Sequence, residues 1–148
     1  MLRMFWVVVV LFAGCAHAPA AAAKLPPDAH ASLYTRLGGK PAIEAVVNDF
    51  VGNVAADPRI NTRFLLTNIP DFKVKLVDQL CEATGGPCVY RGRTMKVTHQ
   101  HMAVTQAEFT ALVEDLSRSL DTFKVPGREK SELLGALGGM QKDIVGAP

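Results

Sequence analysis

Two glycine pairs interrupt a chain whose apolar residues otherwise recur at helical spacing. Gly38-Gly39 follows Leu33-Tyr34-Thr35-Arg36-Leu37, and Gly85-Gly86-Pro87 follows a long amphipathic stretch. Glycine enters the left-handed backbone region without steric cost, so such pairs end helices and turn the chain sharply. The stretches they bound are therefore separate helices rather than one rod. Ile43, Val46, Val47, Phe50 and Val54 stand at i, i+3, i+4, i+7 and i+11, one face of a helix. Pro41 suits its first turn and Asp57-Pro58 ends it. Phe64-Leu65-Leu66 forms a short apolar corner. Pro70 opens the next helix, where Phe72, Leu76 and Leu80 share a stripe that Val77 and Ala83 widen.

Beyond the second hinge, about 94–102 reads as a short helix or irregular segment. Thr105-Gln106-Ala107-Glu108 has the spacing of a capping box ahead of Phe109, Leu112, Val113, Leu116 and Leu120. Pro126 opens a last helix with Leu133, Leu134, Leu137 and Met140 facing inward. No run alternates with period two. The expectation is an all-α domain with four longer helices, a pattern that a ligand-free four-helix bundle would share.

Outside this domain the chain changes character. Residues 1–15 join one cation, Arg3, to an apolar run too short to span a bilayer comfortably, which reads as an export signal. Its end, Phe12-Ala13-Gly14-Cys15, resembles a lipoprotein cleavage box, with lipid attached to Cys15. Ordinary secretory cleavage within Ala16–Ala23 is the rival, and an uncleaved anchor the third reading. Residues 16–31, rich in Ala and Pro, read as a tether, and 32–148 as the folded domain. The expected location is the bacterial cell envelope, lipid-anchored in the periplasm. The outer membrane is favoured because Ala16, not aspartate, follows Cys15. Formal net charge is only +2 and the charges are interspersed, so no basic stripe suggests nucleic acid.

Several motifs together carry a resemblance. They are Leu33-Tyr34 through Gly38-Gly39, Ala56-Asp57-Pro58, Gly85-Gly86-Pro87, Tyr90 with Gly92-Arg93, and Met95-Lys96 shortly before His99. Over about Ser32–Val145 the chain resembles a truncated haemoglobin of the first group. The resemblance implies a two-over-two helical sandwich around haem b, with a diatomic ligand (O2, NO or CO) held at a histidine-ligated iron. It implies His99 as the proximal ligand and Phe64 as the phenylalanine that stacks on the porphyrin. A lone histidine is ordinarily a surface or satisfied core residue, and that reading stands beside it. Phe50, Phe72, Leu76 and Met95 belong to the same cavity, with core packing as the plain alternative. Arg93 or Lys96 would pair with the haem propionates, or be simply solvated. His101, two residues on, points away from His99 or lies near the haem edge.

The distal side departs from the family pattern. Val51 stands where many members have tyrosine, and Phe72 and Leu76 stand where members have glutamine. The usual hydrogen-bond donors are thus missing, each worth roughly 1.5–3 kcal/mol to a charged acceptor. Lys75 stands where some relatives supply a sixth iron ligand; a lysine snorkelling to solvent is the alternative. Cys81 and Cys88 bracket the second hinge and are expected to form a structural disulfide, with free buried thiols as the alternative. No flavin or nicotinamide motif is present, so NO dioxygenase-like turnover would need a separate reductase, and the chain is not expected to be an enzyme by itself. A haem-based sensor or electron-transfer module, and a globin-like structural lipoprotein without haem, are the alternative functions.

Overall fold

The computed structural model describes residues 31–147. Cys15, the signal-like segment and the tether up to His30 lie outside the described residues. The elements run α1 (Leu33–Leu37), α2 (Gly39–Ala56), a 3-10 turn (Asn61–Phe64), α3 (Ile69–Ala83), α4 (Met95–His99), α5 (Gln106–Thr122), α6 (Gly127–Gly138) and a second 3-10 turn (Gln141–Asp143). Among the described residues there is no strand, only one isolated bridge between Val104 and Val145. The all-α expectation holds, with α2, α3, α5 and α6 as the longer helices.

The short α1 was not expected as an element of its own. Its five residues are too few to show periodicity, but its ends are legible. The Ser32 side chain accepts from the Thr35 N–H at 3.2 Å, and Gly38 closes the helix at φ 99°. Arg36 then fastens α1 to α6. Its Nε donates to Glu129 Oε1 at 3.0 Å, Nη1 donates to the Ala31 carbonyl at 2.7 Å, and Nη2 pairs with Glu132. Arg36 and Glu129 are both nearly covered. Arg36 thus holds three acceptors at once, two carboxylates of α6 and the backbone ahead of α1.

Helix α2 is the platform. Ile43, Val46, Val47, Phe50, Val51 and Val54 are all buried on it. α1, the first 3-10 turn, α3 and α5 pack against it. Asn68 caps α3 by accepting from Asp71 N–H, and Pro70 occupies its first turn. From α3, Val77, Leu80 and Cys81 are buried, whereas Ala83 is exposed. Ala83 is the last helical residue and projects past the packed surface as the chain turns at Thr84. The capping box of α5 is formed as the spacing implied: Thr105 accepts from Glu108 N–H and Glu108 from Thr105 N–H. A polar seam joins α2 to α5, where Asn53 Nδ2 donates to Ser119 Oγ at 2.8 Å. Beside it Asp115 is fully buried. Its Oδ1 accepts from Arg118, its Oδ2 has no partner, and burial raises its pKa.

The second hinge is a corner that tolerates no side chain. Cys81 and Cys88 are joined by a disulfide with Cα atoms 5.7 Å apart, as expected from their placement around the glycines. Gly86 N–H donates to the Cys81 carbonyl at 2.8 Å. A Cβ at Gly86 would lie 2.7 Å from Cys81 Sγ, 2.8 Å from Cys81 O and 2.5 Å from a Tyr34 ring carbon. Two of these obstacles, a backbone oxygen and a disulfide sulfur, cannot move aside. Gly86→Ala should therefore destabilise the domain by about 1–3 kcal/mol, the range for overpacking. Thermal unfolding measures this, and a melting temperature equal to that of the parent would refute the steric account.

Candidate functional site

The segment after the corner leads directly to His99. Thr94 caps α4 by accepting from Val97 N–H at 3.3 Å, and the helix lasts only to His99. α4 packs against the second 3-10 turn. His99 Nδ1 lies 2.8 Å from the Met95 carbonyl oxygen. A carbonyl only accepts, so Nδ1 carries the proton. In the neutral tautomer this fixes, the unshared pair sits on Nε2. Among the described residues no hydrogen bond engages Nε2. An imidazole oriented through one nitrogen with the other open is the arrangement a metal-ligating histidine requires.

The expected wall residues fall into two groups. Phe50 and Val51 are buried on α2. Phe64, at the end of the first 3-10 turn, meets Phe72 of α3 with ring centroids 5.5 Å apart, tilted by 51°. Phe64, Phe72 and Leu76 are only half-buried, each packed on the core by one side, as are Leu112 of α5 and Leu137 of α6. Met95 is half-buried as well. Phe64 and Phe72 are thus in ring contact, and Leu76 stands one turn on from Phe72 along the same stripe of α3.

The charged residues divide differently. Arg93 and Lys96 are exposed, and neither is in an ion pair among the described residues. The Arg93 carbonyl accepts from Tyr90 Oη at 3.1 Å, which folds the loop ahead of α4. His101 is exposed at φ 63°. Lys75 Nζ is 2.7 Å from Asp71 Oδ2, one helical turn back, and its side chain is 54% exposed. Metal ligation by Lys75 would require leaving that pair.

Two residues of the site escaped the sequence reading. Arg63 donates to both carboxylate oxygens of Glu108, at 2.7 and 3.0 Å, and to the Met102 carbonyl at 2.8 Å. It thereby ties the Phe64 turn to the loop behind His99 and to the start of α5. No local signal links positions so distant in sequence. Gln79 on α3 is the second. Its Nε2 lies 3.3 Å from Met95 Sδ and 3.6 Å from Met140 Sδ. A signal for it existed, because Phe72, Leu76 and Gln79 are spaced i, i+4, i+7.

Residues 32–145 match the family model described as bacterial-like globin. A group 1 truncated haemoglobin of Mycolicibacterium paratuberculosis is 37% identical over 114 residues, covering 77% of this chain and 84% of the relative. The Fe(III) form of the Tetrahymena pyriformis truncated haemoglobin superposes with a TM-score of 0.76 at 29% identity, covering 78% of this chain and 99% of that one. The 2/2 haemoglobin of Synechococcus sp. PCC 7002, in the cyanomet state with covalently attached haem, gives 0.73 at 32%, covering 78% and 98%. The architecture is thus the two-over-two helical fold. The chain belongs to the bacterial-like globin family, among the group 1 truncated haemoglobins.

The Arg63–Glu108 pair has a pH signature. The Arg63 guanidinium and the Thr105 N–H hold the Glu108 carboxyl at about 2, below its ordinary 4.5. A carboxyl depressed on folding adds stability above its unfolded value, and that contribution is lost as pH falls through the folded one. Glu108→Gln should therefore be less stable than the parent at neutral pH, with the difference shrinking from about pH 4.5 and gone near pH 2. Denaturant unfolding across that range measures it; a difference constant with pH would discount the pair.

Proposed function

We propose that this protein is a haem-binding globin in which His99 is the proximal ligand and a diatomic gas, O2, NO or CO, is what it binds. The observation that carries this reading is the Nδ1 donation from His99 to the Met95 carbonyl. It sets the tautomer, aims the ring and leaves Nε2 able to donate its pair. Haem b is the cofactor of choice, because a non-covalently held porphyrin asks for an apolar wall and one neutral imidazole and little else. When bound, haem supplies the iron that takes up the gas.

The chain's own residues do the rest. Phe64 and Phe72 would supply aromatic contact to the porphyrin, and Leu76, Met95 and Leu112 would keep its surroundings apolar. Arg93 and Lys96 sit free of acidic partners among the described residues, suited to hold propionates at the solvent edge. Phe50 and Val51, buried on α2, would help to keep water from the cofactor. Lys75, in its pair with Asp71, belongs to the solvent side, which supports a resting iron without a lysine ligand. The protein would work in the cell envelope, held at the membrane by lipid on Cys15, and any NO-consuming turnover would draw electrons from a separate reductase.

Hemin titration of residues 32–148 tests the reading. One-to-one uptake with a sharpened Soret band is expected, and His99→Ala should lose the histidine-ligated spectrum. No specific uptake by the parent would defeat the haem function and leave a globin fold in a structural role. Lys75→Ala should leave the ferric visible spectrum unchanged. A change from a low-spin to a high-spin spectrum in that variant would instead make Lys75 the sixth ligand.

A further inference from the structure

The loop that follows His99 holds a conformation its own sequence does not favour. His101 at φ 63° and Ala103 at φ 47° both stand in the left-handed region, on either side of Met102. No glycine lies between Gln100 and Thr105 to ease such angles. A residue with a Cβ meets a steric penalty there. Such residues persist where the surrounding structure over-determines them. α4 is a poor candidate for that task, because it is a single turn packed on the second 3-10 turn.

Met102 is instead held from both sides. Its N–H donates to the His99 carbonyl at 3.1 Å, which ties it to the end of α4. Its carbonyl accepts from Arg63 Nη1 at 2.8 Å, and no other donor reaches that oxygen among the described residues. The Arg63 guanidinium is itself fixed by Glu108, whose carboxylate oxygens accept from Nε at 2.7 Å and Nη2 at 3.0 Å. Glu108 lies in the first turn of α5, and α5 packs on α2. One planar, rigid fork thus refers Met102 to the core of the domain. Gly146 N–H donates to the Val104 carbonyl at 3.0 Å, which pins the far end of the loop and leaves Met102 to Arg63.

We propose that Arg63 is a positioning residue for the proximal histidine, acting through Met102 on the backbone of His99. This rests on the haem reading above. The engaged donors of Arg63 face Glu108 and Met102, so its effect on the iron is transmitted through the backbone. Without the fork, the loop is free to relax toward ordinary backbone angles, and the one-turn helix that carries His99 moves with it. His99 would then meet the iron in a spread of orientations, and haem would leave faster.

Arg63→Met and Arg63→Lys, compared with the parent as haem-loaded proteins, decide it. Lysine keeps a charge for Glu108, but as a point donor it cannot serve the carboxylate and the Met102 carbonyl together as the fork does. The iron–histidine stretching band of the ferrous, ligand-free protein should broaden and fall in frequency in both variants. Hemin loss from the ferric protein to excess apomyoglobin should quicken about ten-fold in Arg63→Met, the low end for one hydrogen bond from a charged donor. Arg63→Lys should show the same changes while melting close to the parent, and it decides the matter alone if Arg63→Met does not fold. Variants with the parent's band and hemin loss, whatever their melting temperature, would make Arg63 a structural residue and overturn the proposal with the haem function intact. A parent that takes up no haem overturns both readings together.

Discussion

Everything in this fold leans on the apolar face of α2. Six buried residues between Ile43 and Val54 form one continuous surface, and α1, the Phe64 turn, α3 and α5 are each laid against it. Val47 is 1% exposed, so that surface is sealed in the middle. Burying a side chain of this kind contributes about 1.5–3 kcal/mol, which makes α2 the element whose loss no other contact could offset. α6 is attached indirectly, through α5 and through the Arg36 clamp to α1.

α4 is the exception. It is one turn long, is capped by Thr94, and packs on the second 3-10 turn. Its position is set from outside by three devices: the disulfide corner at Gly86, the loop folded by Tyr90 onto Arg93, and the Arg63 bridge to Met102 and Glu108. A helix too short to be stable alone is thus presented as a fixed platform for one imidazole.

The polar groups follow the same economy. Arg63 acts between three segments at once, and Gln79 stands where an apolar stripe would otherwise close. Both are ordinary residue types in ordinary helical or turn positions. What sets them apart is the company they keep: two carboxylate oxygens and a carbonyl for Arg63, two sulfurs for Gln79.

The sequence by itself determined the helices and their ends, because these depend on local chemistry. Spacing along 43–54 and 109–120, the Thr105–Glu108 box, Pro70 and the glycine pairs each act within a few residues, and the disulfide follows from two cysteines flanking a hinge. The sequence passed over α1, where five residues cannot display a period, and placed Ala83 on a face that the helix end leaves exposed. Only the tertiary structure decided which hydrogen bond His99 makes, that Lys75 is turned to Asp71, that Arg63 reaches Glu108, and that Gln79 lies against Met95 and Met140. The latter three turn on side-chain direction, and two of them join residues from different helices. The Lys75–Asp71 pair is at i, i+4 and so was within local reach, whereas the partners of Arg63 and Gln79 are far away in sequence, and no local spacing encodes them.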